Sequence, residues 1–120
     1  PNLQLSTPDE IRLPLLWIAV LYGQLRASLG ATRGVHTPIE VVKYLMAGAD
    51  AVMTTSALLK HGVNYISTLR DGLKTWMEIH QYASVAQMKG SMSQQSVADP
   101  TAFERANYIK TLDSYKGDYV

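Results

Sequence analysis

Two pieces of sequence joined by an amphipathic helix decide the fold: Ala27-Ser28-Leu29-Gly30-Ala31-Thr32-Arg33-Gly34-Val35-His36-Thr37-Pro38, and then Gly48-Ala49-Asp50-Ala51-Val52-Met53-Thr54-Thr55-Ser56-Ala57-Leu58-Leu59. The pattern reads strand, tight loop, helix, strand, and a second tight loop opening another helix, which is a parallel βαβ unit. Parallel strands need a crossover, and a right-handed crossover brings both strand ends to one side of the sheet. The loops Thr32 to Thr37 and Thr54 to Ala57 are therefore expected side by side. Each places small or hydroxyl residues just ahead of a helix amino terminus, where free N–H groups and the helix dipole favour an anion. Loops at the carboxyl ends of parallel strands are where α/β proteins bind ligands, so a phosphate group is the first candidate.

The crossover helix carries its own punctuation. Thr37-Pro38-Ile39-Glu40 has threonine at the cap, proline at the first helical position and a glutamate able to reach back from the third. Ile39, Val42, Leu45 and Met46 are expected on one apolar face, and Gly48 ends the helix as a carboxyl cap. Upstream, Ser6-Thr7-Pro8-Asp9-Glu10 resembles a helix start. The helix after it, about Ile11 to Arg26, is apolar over much of its surface and is expected to be mostly buried, with Pro14 tolerable only in the first turn. Ala27 to Thr32 and Asp50 to Thr54 are the expected strands, the second nearly continuous in apolar residues, as in parallel sheets.

Downstream, Ser56 to Lys60 predicts a short helical turn broken at Gly62, and Asn64 a cap for a helix from Tyr65 to His80 whose Ile66, Leu69, Leu73, Trp76 and Met77 form a stripe. From Gln81 the sequence turns polar. Short helices are expected at Ser84 to Lys89 and Thr101 to Leu112, with Gly90 to Pro100 as a connector. Ala102, Phe103, Ala106, Tyr108, Ile109 and Leu112 give the last segment an apolar face, fit to dock on the body or on another subunit.

Composition sets outer bounds. A chain of 120 residues, 47% apolar, can bury one domain's core, and a net charge of +1 offers no attraction to nucleic acid or acidic membranes. No apolar run reaches the ~18 residues needed to span a bilayer, so a cytoplasmic location is expected. The absence of cysteine removes disulfides, thiolate metal sites and a cysteine nucleophile, and the three histidines lack metal-ligand spacing. The chain starts at Pro1 rather than Met, so it is expected to be a piece of something longer. Trp17 and Trp76 read as core or interface packing, and Met46, Met53 and Met77 as helix or strand core positions. The pairs Asp9/Glu10 and Lys43/Glu40 read as solvated helix charges.

The order of elements, with Arg33-Gly34-Val35-His36-Thr37, Leu45-Met46-Ala47-Gly48-Ala49-Asp50 and Thr55-Ser56-Ala57-Leu58, resembles the carboxyl-terminal part of dihydroorotate dehydrogenases. That flavin-dependent family shows Gly-Gly-Val/Ile-x-Thr/Ser, a helix ending Leu-x-Ala-Gly-Ala, and a strand ending Gly-Thr-Ala or similar. Leu69 to Met77 and Ser84 to Gly90 are similar to its last barrel helix and short closing helix. The likeness covers residues 11 to 90. The tail resembles the dihydroorotate dehydrogenase-like branch.

This resemblance implies an α/β fold: the C-terminal portion of a (β/α)8 TIM barrel over residues 1–90, its last βαβα units, followed by a mainly helical tail over residues 91–120. It implies FMN as cofactor, its phosphate held by the amides of Gly34, Val35 and the Thr55-Ser56 pair, with Arg33 available as a charge and Ser6-Thr7 near the flavin edge. The implied reaction is oxidation of dihydroorotate to orotate, with the catalytic base and flavin-proximal lysines on strands this sequence does not contain. Alone the chain is expected to be inactive.

Arg33 and Thr55 stand where the family has glycine, each adding a side chain where a phosphate needs close backbone approach. A whole barrel takes ~250 residues, so the chain is expected to associate with the missing half or to form a homo-oligomer. Two other readings fit the residues. One is a noncatalytic half-barrel that assembles without flavin, and the other is a phosphate-binding barrel enzyme outside the flavin group.

Overall fold

In a computed structural model, residues 2–97 are described. The elements follow from local sequence. Thr7-Pro8-Asp9-Glu10 opens a 3-10 turn, Pro8–Ile11, in which the Glu10 carboxylate accepts from the Thr7 N–H at 2.6 Å. This turn leads into helix α1, Arg12–Leu21. Strand β1, Gly30–Ala31, is followed by helix α2, Pro38–Ala47, strand β2, Ala51–Val52, and helix α3, Ser56–His61. Helix α4 spans Tyr65–Ile79, and the short α5 spans Val85–Met88.

The two strands pair in parallel, Gly30 against Ala51 and Ala31 against Val52, with α2 as the crossover. They are shorter than their apolar runs suggested. Backbone pairing holds from Asp50 N–H to Leu29 C=O (2.8 Å) through Met53 N–H to Ala31 C=O (2.8 Å), and among the described residues no third strand extends it. Upstream of β1, the Asp50 carboxylate accepts from the Leu29 N–H at 2.7 Å, a side chain doing what another strand's carbonyl would do.

Helix α2 is the hub. Its capping box forms as its sequence requires: the Glu40 carboxylate accepts from the Thr37 N–H at 2.9 Å and also from the Thr37 hydroxyl. At the other end Gly48 takes φ 125°, and its N–H donates to the carbonyls of Leu45 and Tyr44. A side chain would be costly there twice over, because a β-carbon on Gly48 would sit 2.4 Å from the Tyr22 ring. One side of α2 joins Ile11, Ile18, Ala19, Ala31, Val35 and Ala49 through Tyr44 and Ala47. The other side, Val42 and Leu45, packs with Met88 under Leu73, Trp76, Met77 and Tyr82.

Several sequence expectations are corrected. Helix α1 stops at Leu21 rather than Arg26, because Tyr22 leaves helical geometry and Gly23 takes φ 79°. It is not mostly buried either: only Ile18 and Ala19 are, since α2 covers one face and Leu13 and Trp17 face outward. Met53 and Ile39 are exposed instead of packed. Asn64 adopts helical geometry and makes no cap with its side chain. Glu40 is buried in the capping box and Glu10 is ion-paired, so neither is a simple solvated charge.

The expected connector after Gly90 packs down instead. Gly90 and Met92 donate N–H bonds to the carbonyls of Leu45 and Met46, completing the end of α2, and Ser93 and Gln94 are buried. The expected helix from Thr101 to Leu112 lies outside the described residues.

Candidate functional site

The register of β1 and β2 decides what meets at their carboxyl ends. Both strands stop within a residue or two of a hydroxyl-bearing loop, and the Thr54 hydroxyl donates to the Val35 carbonyl at 2.9 Å, tying the loops together. Between them lies a cleft of about 210 Å³, lined by Ser6, Thr32, Arg33, Thr55 and Ser56, with Gln4, Val35 and Thr54 completing the wall. Among the described residues no carboxylate lines it. Four of the five residues singled out from sequence, Arg33, Val35, Thr55 and Ser56, thus share one concave surface.

Gly34, the fifth, lies behind that surface. Its α-carbon backs onto Ile11, so that a β-carbon would come within 2.7 Å of the Ile11 nitrogen. Its N–H points to Ser6 Oγ at 3.4 Å. Arg33 and Gly34 take φ 79° and 73°, two consecutive left-handed residues, which is a conformation suited to a glycine pair. Thr55, in contrast, has φ −123° and needs no glycine.

The loop from Thr32 to His36 is held from three directions. The buried Tyr44 hydroxyl sits 2.9 Å from the Thr32 carbonyl and 2.8 Å from the Arg33 carbonyl, and the Tyr65 hydroxyl donates to the His36 carbonyl at 2.6 Å. Burial pushes the Tyr44 phenol above its ordinary pKa, which keeps it a donor. The Arg33 guanidinium pairs with Glu10 at 2.5 Å. The Glu10 carboxyl is held below its usual range, first by the Thr7 N–H and then by Arg33.

Ser6, which the sequence offered as part of a helix start and the resemblance set near the flavin edge, makes most of the side-chain links across the cleft. Its N–H donates to Ser56 Oγ at 3.0 Å, its hydroxyl donates to the same oxygen at 3.1 Å, and His36 Nε2 lies 3.3 Å from that hydroxyl. Fifty positions separate Ser6 from Ser56. The Pro8–Ile11 turn, packed against Gly34, carries Ser6 to this position.

A phosphate fits these donors. The lining is rich in hydroxyls, its charged side chain is a guanidinium, and Thr55 places no side-chain cap on the first N–H groups of α3. The volume is below the usual range for a whole cofactor, so the cleft suits the anionic end of a larger molecule. Among the described residues no three His, Cys, Asp or Glu side chains cluster as a metal site. No described helix is long and apolar enough to cross a membrane.

No protein-family model matches the chain. Its sequence is similar to the chloroplastic dihydropyrimidine dehydrogenase (NADP(+)) of Arabidopsis thaliana, 25% identical over 63 residues. The match takes in 52% of this chain and 15% of that dehydrogenase. The similarity is a distant link to an oxidoreductase.

Proposed function

We propose that the chain is the C-terminal segment of an FMN-dependent, dihydroorotate dehydrogenase-like oxidoreductase built on a (β/α)8 barrel, and that its cleft holds the flavin phosphate. The observation that carries this reading is the parallel β1–β2 pair, which sets the Arg33 and Ser56 loops around a donor-lined cleft. The distant similarity to a dihydropyrimidine dehydrogenase supports it, since dihydroorotate is itself a dihydropyrimidine. Arg33 supplies charge to the phosphate, Ser56 and Thr55 supply hydroxyl and amide donors, and Gly34 lets the loop pass close over Ile11. FMN held there would supply an acceptor for hydride from the reduced pyrimidine ring. The chain's own residues bind and orient; the base that takes the ring proton belongs to the part of the barrel that precedes them.

Size-exclusion chromatography of the 120-residue chain with saturating FMN tests this. Flavin that elutes with the protein, and whose affinity drops about tenfold or more in Arg33→Ala, as loss of a charged hydrogen bond predicts, supports the reading. Flavin left behind sinks it.

A second reading is favoured by one specific observation. Leu13, Trp17, Leu59, Val63 and Ile66 are exposed, and the two-stranded sheet has both edges unpaired among the described residues. These surfaces suit a noncatalytic half-barrel that assembles with copies of itself. An oligomer that excludes flavin would favour it.

A further inference from the structure

His36 has no part in holding the phosphate as described so far, yet it is buried on the Arg33 loop and its Nε2 lies 3.3 Å from the Ser6 hydroxyl. A ring nitrogen and a hydroxyl at that distance must be matched: one of them supplies the proton. Which one does so has a consequence at the cleft, through the hydrogen bonds that Ser6 makes to Ser56.

A serine hydroxyl has one proton and two lone pairs. At Ser56 Oγ the Ser6 N–H fills one lone pair at 3.0 Å and the Ser6 hydroxyl fills the other at 3.1 Å. The Ser56 proton is left over, and Ser56 lines the cleft. Ser6 Oγ has spent its own proton on Ser56, and its two lone pairs face the Gly34 N–H at 3.4 Å and His36 Nε2 at 3.3 Å. Two lone pairs cannot face each other, so Nε2 carries a proton. The opposite arrangement has a bare Nε2 that takes the Ser6 proton. Ser56 then turns its proton back to Ser6 and shows the cleft a lone pair, which an oxyanion beside Arg33 would repel.

We propose that His36 is a positioning residue: its Nε2–H, acting through Ser6, fixes the Ser56 hydroxyl as a hydrogen-bond donor to the cleft. The cleft then selects an oxyanion whose facing oxygen carries no proton, such as an ionised phosphate monoester or a sulfate. His36 does not itself line the cleft, so its effect on a ligand passes through Ser6 and Ser56. This inference rests on the reading of the cleft as an anion site and holds whether or not the anion belongs to a flavin.

Inorganic sulfate is the probe, because it has neither proton nor flavin. It should bind the full chain, and in its presence the imidazole 15N spectrum should place the His36 proton on Nε2. Failure to bind overturns the proposal, and so does a bare Nε2. Ser56→Ala should weaken sulfate binding about tenfold, as loss of a hydrogen bond to a charged group predicts. His36→Leu should weaken it about threefold or more when Ser56 is present and leave it unchanged in the Ser56→Ala background, the signature of two residues acting as one. Equal losses in the two backgrounds overturn the relay. His36→Gln, whose side-chain amide can donate in place of Nε2, should hold affinity within about twofold, the margin of an uncoupled change. A loss as large as that of His36→Leu overturns the assignment. Should His36→Leu fail to fold, the spectrum of the unsubstituted chain and the His36→Gln affinity still decide. FMN binding measured alongside separates the two readings: sulfate bound with flavin left behind sinks the flavin reading alone, and flavin bound over a bare Nε2 sinks the relay alone.

Discussion

Arg33 holds a left-handed backbone conformation that costs a side-chain-bearing residue about 1–2 kcal/mol. Glycine relieves that strain but loses about 0.5–1 kcal/mol of chain entropy. Arg33→Gly is therefore expected to leave stability unchanged or raise it by less than about 1 kcal/mol in urea unfolding, while removing the cleft's cation. A β-branched residue cannot share this tolerance, so Arg33→Val should lower the unfolding midpoint. The ion pair Arg33–Glu10 adds a pH signature. A carboxyl whose folded pKa is depressed contributes stability above its ordinary range and loses it as pH falls through the lowered folded value. Glu10→Gln should flatten that acid limb in a pH series of denaturation midpoints. Asp50 behaves alike, lowered first by Lys89 and then by the Leu29 N–H, while Lys89 is raised by Asp50 and loses its contribution only as pH climbs through its raised value. The bridge between β2 and the end of α5 should accordingly be intact across the neutral range and fail at both extremes. Asp50→Asn should remove both failures.

Among the elements, α2 has the clearest signals in sequence and the tightest surroundings. Thr37-Pro38-Ile39-Glu40 and Gly48 marked both of its ends, because capping is chemistry local to a few residues. The same local logic marked Thr7 to Glu10 and the stop at Gly62. What it could not mark depends on distant partners. Strand length is set by how much backbone finds a neighbour, so apolar runs of five or six residues yielded strands of two. Met53 and Ile39 sit at apolar positions whose outer face no described element covers. The role of Tyr44 was equally hidden: it looks like one more apolar position, yet its hydroxyl holds the carbonyls of Thr32 and Arg33. Tyr44→Phe should cost about 1–3 kcal/mol, the range for stranding buried acceptors, and should loosen the Arg33 loop, which urea unfolding and exchange at Gly34 would register. Gly72 on α4 faces Pro38 so closely that a β-carbon would lie 2.1 Å from the proline ring. Gly72→Ala gains about 1 kcal/mol of helix propensity, but the clash should outweigh it and give a net loss of stability in the same assay.

At the scale of the whole molecule, the cleft was half legible. The loops could be read as neighbours from the strand–helix–strand pattern, since topology alone brings them together. The hydrogen bonds from Ser6 to Ser56 could not, because fifty positions separate the two and Ser6 is carried there by a turn packed through Ile11 on Gly34. The exposed apolar positions and unpaired sheet edges predict that the isolated chain changes size with concentration. Sedimentation velocity over a hundredfold dilution should show the shift, and a constant monomer mass would refute the expected association. The two Thr-Pro-x-Glu boxes also bear on the order in which the chain acquires its structure. Each box closes within four residues, so the starts of α1 and α2 can form before any distant contact exists. The parallel pair cannot, because Gly30 must wait for Ala51 across the whole of the crossover helix. Folding should therefore run from capped helices toward the sheet, so that the cleft, which needs both strand ends in place, is among the last parts to appear and reports a finished chain.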